Sequence, residues 1–89
     1  MRADHAAVLR LLKTARGQID GIIKMVEEDQ YCIDIMNQIM ASEAVLRKTN
    51  KVVLQGHISG CVMDTFHSSE QEREKKMTEM LDLLDKIYK

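Results

Sequence analysis

The chain has 89 residues, with 13 Lys and Arg against 14 Asp and Glu and a formal net charge of −1. This length predicts one domain over residues 1–89, and one phenylalanine, two tyrosines and no tryptophan leave little for a core, which favours oligomerisation. The near-neutral charge neither requires nor excludes nucleic acid. The absence of a signal-like start or a long apolar run predicts a cytoplasmic protein with reduced cysteines and no membrane association.

Apolar periodicity predicts three amphipathic helices and no strand, at about residues 4–28, 31–65 and 70–88. The first helix has apolar residues at alternating spacings of four and three, the pattern of a helical-bundle seam. These residues are Val8, Leu12, Ala15, Ile19, Ile22 and Val26. The expected fold is therefore an all-α bundle.

Cys32, His57 and Cys61 are the strongest candidates for chemistry. His57 and Cys61 lie four apart in GHISGC, so they share a helix face and can both bind a soft or borderline metal. Cys32 lies 25 residues before His57 in the same predicted helix, roughly 37 Å away at 1.5 Å per residue. If all three bind one ion, Cys32 comes from a second, antiparallel chain, and the site exists only at a dimer interface.

Each of these residues also has a simpler interpretation. A single cysteine on an apolar helix face is most often a small buried hydrophobe, and a single histidine is most often structural. The His-x3-Cys pair strengthens the metal interpretation, although it is weaker than a four-ligand zinc signature. A helical bundle with incidental cysteines therefore stays open as an alternative.

Four glycines occur as two pairs four residues apart, Gly17 with Gly21 and Gly56 with Gly60. A glycine inside a helix costs about 1 kcal/mol relative to alanine. Close approach of another backbone is one reason to tolerate that cost, and the second pair lies beside the candidate ligands.

No catalytic constellation or phosphate-binding glycine loop is present, so the chain is not expected to be an enzyme. The basic residues are dispersed, and ordinary helix solvation explains any one of them. Collected from several chains of a symmetric assembly, they would form a phosphate-contacting band. The candidate DNA contacts are Arg10, Lys13, Arg16, Arg47 and Lys48.

Several segments closely resemble the copper-sensing operon repressor family, whose relatives respond to nickel or cobalt, formaldehyde or persulfide. They are GQIDGI, MVEEDQYC, YCIDIMNQI and GHISGC, and the resemblance covers nearly the whole chain. It implies an antiparallel dimeric helical bundle that assembles into a dimer of dimers. It also implies repression by the metal-free form on operator DNA, and release when Cu(I) binds.

The resemblance assigns the Cu(I) ligands as Cys32 of one chain with His57 and Cys61 of the other. Tyr31 matches the family's tyrosine beside the site. Two thiolates and one imidazole suit Cu(I), a soft ion content with three ligands.

The sequence departs from the family at positions tied to DNA release and DNA contact. Met77 stands where the copper sensors carry a glutamate that couples metal to DNA release. Asp20 stands where an arginine is usual, and Leu11 and Thr14 where arginines are common, while Lys13 is kept.

Two alternatives to a Cu(I)-responsive repressor stay open, and the missing arginines fit the second. One is a repressor that responds to nickel, zinc or a thiol-modifying species. The other is a cytosolic copper-binding helical protein that does not recognise DNA.

Overall fold

The structure is a computed structural model that describes the backbone of residues 1–65 and 69–87 and the side chains of residues 1–60 and 69–86. Its elements are three α-helices: α1 (His5–Glu27), α2 (Cys32–Thr65) and α3 (Glu70–Ile87). No strand occurs in this part of the chain, so the all-α prediction is confirmed. The bounds of α1 and α2 differ from the predicted ones by at most one residue, and the predicted end of the third helix at 88 lies outside the described residues.

Side-chain caps fix where α1 and α3 begin. The Asp4 carboxylate accepts a hydrogen bond of 3.0 Å from the Ala6 amide and so satisfies one of the free amides at the start of α1. Ser69 Oγ accepts a bond of 3.2 Å from the Glu72 amide at the start of α3. Ser69 and Glu72 have the spacing of a capping box, so α3 has a local start signal of its own.

The chain reverses direction between α1 and α2 in a few residues. Asp29 adopts a positive φ of 52°, which lets its amide bond the carbonyl of Val26 and the Gln30 amide bond that of Met25, both at 3.0 Å. This is a Schellman arrangement with an aspartate in the position usually taken by glycine. It ends α1 sharply and directs α2 back along it.

Helices α1 and α2 form an antiparallel hairpin. Ser42 Oγ donates a hydrogen bond of 3.1 Å to Gln18 Oε1 in the middle of the hairpin, and Ala3 lies against Gly56 near its open end. The residue numbers of the two pairs add up to nearly the same value, about 60. A constant sum of paired residue numbers is what antiparallel packing requires. Within the described residues α3 packs on α2 and not on α1.

The single chain is more open than a typical compact monomer of its length. It measures 57 × 27 × 13 Å with a radius of gyration of 17.6 Å, whereas a compact chain of this length has about 12 Å. Its accessible surface is 6976 Å², against about 5,300 Å² for a typical monomer of this mass. No large side chain among the described residues is fully buried.

The packing divides the predicted seam of α1. Val8 and Ala15 are buried against α2, and Ile22 is half-buried. Leu12 and Ile19 remain 42% and 44% exposed, and Val26 is exposed as well. The seam is therefore too wide for one partner helix, and α2 covers only part of it.

Six of the exposed apolar side chains of α1 and α2 lie on one side of the hairpin, here called the open apolar face. Its members are between 41% and 55% exposed: Leu12, Ile19 and Ile23 of α1 with Met36, Ile39 and Leu46 of α2. At about 100° per residue, the exposed apolar residues of each helix are rotated about the helix axis away from its buried residues, in the same sense in both helices. Because the helices are antiparallel, both stripes then lie on the same side of the hairpin.

No helix in the described part of the chain combines the length and hydropathy needed to cross a bilayer.

Candidate metal centre and nucleic-acid interface

Helix α2 carries all three candidate metal ligands. Cys32 is its first residue and is exposed, and His57 is exposed several turns from there toward its end. Cys61 belongs to the same continuous helix, and its side chain lies outside the described residues. The helix is unbroken from Cys32 to Thr65, so Cys32 and His57 are separated by roughly 37 Å along its axis. The structure does not bring the three ligands together within one chain.

The ligands nevertheless share one face of α2. At 100° per residue, Cys32, His57 and Cys61 fall within an arc of about 40°. Ile39 and Leu46 of the open apolar face lie on the same stripe between the two ends. A second copy that covers this stripe would therefore lie over both ends of the candidate site.

The donor set fits a soft ion better than a hard one. Cysteine thiolate and imidazole are ligands of Cu(I), zinc and related metals, whereas magnesium and calcium require oxygen ligands. Among the residues whose side chains the structure describes, no three His, Cys, Asp or Glu gather at one place. Cys32 is a free thiol and is exposed, so it is accessible to a partner chain.

Tyr31 immediately precedes Cys32 at the start of α2. Its carbonyl accepts the Ile35 amide at 3.2 Å, which closes the first turn of the helix, and its ring is 66% exposed. An aromatic ring with this exposure has most of its surface free to contact a second chain.

The five candidate DNA contacts are all exposed, but they do not form one patch on a single chain. Arg10 of α1 and Lys48 of α2 point to the side of the hairpin opposite the open apolar face. Paired residues of the hairpin have numbers that add up to about 60, so Arg10 and Lys48 are offset by about 3 Å along the helix axes. They form the shared basic side of the hairpin.

The other three basic residues lie at other angles around their helices, although Lys13 lines one groove on α1 together with Arg10. Lys13 lies on the outer edge of α1 and Arg47 on the outer edge of α2, so the two point away from each other. Arg16 is rotated toward the open apolar face, and Asp20 lies on the outer face of α1 near Lys13. The helix geometry thus separates residues that the sequence alone groups together.

The sequence did not predict the packing of the first four residues, Met1–Asp4, here called the N-terminal segment. Ala3 is 7% exposed and lies against Gly56, and Arg2 lies against Gly60. The close approach predicted at this glycine pair therefore comes from the same chain, as the backbone of Ala3 at Gly56 and as the side chain of Arg2 at Gly60. A small residue just before the first helix, together with glycines four apart in the second, is the only sequence signal for this contact.

The other glycine pair differs from the expectation. A Cβ at Gly17 or Gly21 would have nothing within 4 Å, so no close approach occurs there in the single chain. The physical reason is orientation, because both glycines lie on the side of α1 away from α2.

Comparison with known proteins agrees with this fold. Residues 4–86 match the family described as metal-sensitive transcriptional repressor. The copper-sensing transcriptional repressor CsoR of Mycobacterium ulcerans is 49% identical over 55 residues, covering 62% of this chain and 47% of the relative. The CsoR of Bacillus subtilis is 38% identical over 78 residues, covering 88% and 75%. The chain spans about half the length of the mycobacterial relatives.

Solved structures show the same three-helix architecture. The copper-sensing repressor CsoR with Cu(I) from Geobacillus thermodenitrificans matches with a TM-score of 0.79 and 34% identity, over 94% of this chain and 85% of that one. The nickel-responsive regulator InrS matches with a TM-score of 0.78 over 98% and 96%, and at 22% identity it supports the fold alone. This chain belongs to the metal-sensitive transcriptional repressors.

Proposed function

We propose that this protein is a cytoplasmic Cu(I)-responsive transcriptional repressor, without enzymatic activity, that works as a homodimer or a dimer of dimers. The metal-free form binds operator DNA, and Cu(I) binding lowers that affinity. One observation carries the proposal: Cys32, His57 and Cys61 share one face of α2 but lie too far apart for one chain to join them.

A symmetric antiparallel pairing of two α2 helices completes the site. Cys32 of one chain then lies opposite the 57–61 turn of the partner, and Tyr31 adjoins the ligand from the same chain as Cys32. Two thiolates and one imidazole suit Cu(I), which when bound joins the two chains. The two-fold symmetry generates two equivalent sites.

The same pairing covers the open apolar face. Placing Cys32 opposite the 57–61 turn sets the two-fold axis near Leu46, an apolar side chain that is 42% exposed in the single chain. Ile39 of one chain then lies opposite Val53 of the other chain. Glu43 faces the partner's Arg47, so opposite charges meet beside the axis.

DNA binding is assigned to the basic residues named above. Arg10 and Lys48 supply the shared basic side of each hairpin, and Lys13, Arg16 and Arg47 add charge at the edges of the assembly. Arg and Lys contacts to phosphates give an affinity that falls with salt. Linkage requires DNA to weaken Cu(I) binding by the same factor by which Cu(I) weakens DNA binding.

The testing experiment is an anaerobic titration of reduced, metal-free protein with Cu(I) against a chromophoric competitor. DNA from the protein's own promoter region is followed in parallel by fluorescence anisotropy. One tightly held Cu(I) per chain, with DNA released in step, is the expected result. Tight Cu(I) binding with DNA never bound would instead indicate a copper-binding protein, and no stoichiometric Cu(I) would refute the proposed inducer.

Substitutions on α2 distinguish the loss of a proposed ligand from a general effect of changing this helix. Cys32→Ala is expected to lose tight Cu(I) binding and to keep its DNA affinity. Asn37→Ala is the matched control, because Asn37 is exposed and lies on a different face about one turn away. If Cys32→Ala holds Cu(I) as tightly as the parent, the intersubunit site is wrong. Titration with Ni(II) and Zn(II) in the same assay tests the alternative inducers.

A further inference from the structure

The N-terminal segment lies along the turn of α2 that carries two of the proposed ligands. Gly56 and Gly60 stand directly before His57 and Cys61, and the segment covers both glycines. Ala3 is 7% exposed, less than most of the apolar residues of α1.

The contact at Gly56 is one of backbone against backbone. A Cβ on Gly56 would lie 2.5 Å from Ala3 Cα, 2.7 Å from Ala3 N and 2.8 Å from Ala3 Cβ. No side-chain rotation relieves such a clash. At Gly60 the overlap is with the flexible side chain of Arg2, so Gly56 is the position that decides whether the segment docks.

The docked segment is held at its other end by α1. Asp4 caps α1 through the Ala6 amide at 3.0 Å, and His5 Nε2 lies 3.3 Å from the Met1 carbonyl oxygen, within hydrogen-bond distance. A segment fixed to α1 at one end and packed on Gly56 at the other limits how the ligand-bearing turn moves relative to α1.

Resting on the function proposed above, we infer that the N-terminal segment is a positioning element for the His57–Cys61 turn. Its docking on Gly56 holds this turn in the orientation that binds Cu(I) with a partner's Cys32. Ala3 and Gly56 are thus positioning residues for the metal site, although neither provides a ligand. Releasing the segment is expected to weaken Cu(I) binding about tenfold.

The test compares Gly56→Ala with Gly21→Ala. A helical Gly→Ala change ordinarily stabilises, by up to about 1 kcal/mol, and a Cβ at Gly21 meets nothing within 4 Å. Gly21→Ala should therefore leave Cu(I) affinity unchanged. Gly56→Ala should lower it about tenfold, with the helical circular dichroism retained. Ala3→Leu releases the segment from the other side and leaves the sequence of α2 intact, so it should have the same effect.

Two readouts distinguish positioning from general damage. Trypsin cleavage after Arg2, followed by intact mass, reports release of the segment directly and should accelerate in both variants. The double variant with Ala3→Leu and Gly56→Ala should bind Cu(I) no more weakly than either single one, because a released segment cannot be released twice.

Cu(I) binding by the parent protein distinguishes failure of the proposed function from failure of the positioning inference. If the parent takes up no Cu(I), the proposed function fails. If the parent binds Cu(I) and both released variants bind it equally well or more tightly, the positioning inference alone is overturned. Unchanged trypsin cleavage in Gly56→Ala would likewise overturn it, because the segment would not dock as the structure shows.

Discussion

Mixing two variants that each lack one proposed ligand tests the proposed intersubunit metal site most directly. Cys32→Ala and His57→Ala each remove one ligand from both sites of a symmetric dimer, so neither variant alone should bind Cu(I) tightly. In a mixed dimer, the Cys32 of the His57→Ala chain meets the His57 and Cys61 of the Cys32→Ala chain. One of the two sites is then intact, although neither parent chain has one.

The magnitude follows from the symmetry and from the length of α2. Random pairing of equal amounts makes about half of the dimers mixed, so about one quarter of the parent's sites are restored. A site within one chain would restore none, and the roughly 37 Å between Cys32 and His57 on one helix excludes that arrangement. The expected uptake after mixing is therefore about a quarter of a Cu(I) per chain.

The assay is competitive Cu(I) titration after the two variants are unfolded together in urea and refolded. Mixing His57→Ala with Cys61→Ala is the control, because both ligands must come from the same turn of one chain and no intact site forms. Uptake that stays at zero in the first mixture, while circular dichroism shows refolded helices, would refute the antiparallel arrangement. Restored uptake in the control would refute the assignment of ligands.

Four other outcomes are expected from the packing. Ser42→Ala leaves Gln18 Oε1 without its donor in a part-buried site, and should lower the free energy of unfolding by about 1–2 kcal/mol in urea denaturation at fixed protein concentration. Asp4→Ala should cost about 1 kcal/mol and Asp4→Asn much less, because only the alanine removes the cap on α1; equal losses would contradict this role. Arg10→Gln should lower the slope of log affinity for DNA against log salt by about one for each phosphate that the arginine neutralises, whereas Lys86→Gln on α3 should leave the slope unchanged. The midpoint of thermal unfolding should rise with protein concentration, since the open apolar face is covered only by association; a constant midpoint would indicate a stable monomer.

The candidate metal site was predictable because it depends on spacing along one helix. His57 and Cys61 are four positions apart, which places them on one helix face. Cys32 is 25 positions before His57, too far along the helix for the two to bind one ion within one chain. The proposed DNA contacts were predictable only as residue types. Arg10 and Lys48 come to one side of the hairpin because of how α1 packs on α2, and that orientation has no local sequence signal.

The sequence by itself determined the three helices and their starts, because periodicity and caps such as Ser69 with Glu72 act over a few neighbouring residues. It also determined that the three candidate ligands can bind one ion only if two chains contribute them. Only the tertiary structure decided which half of the wide apolar seam α2 covers, and that the N-terminal segment packs on Gly56 while Gly21 faces open space. Those outcomes depend on the rotation of one helix against another, which is fixed by packing over the whole hairpin.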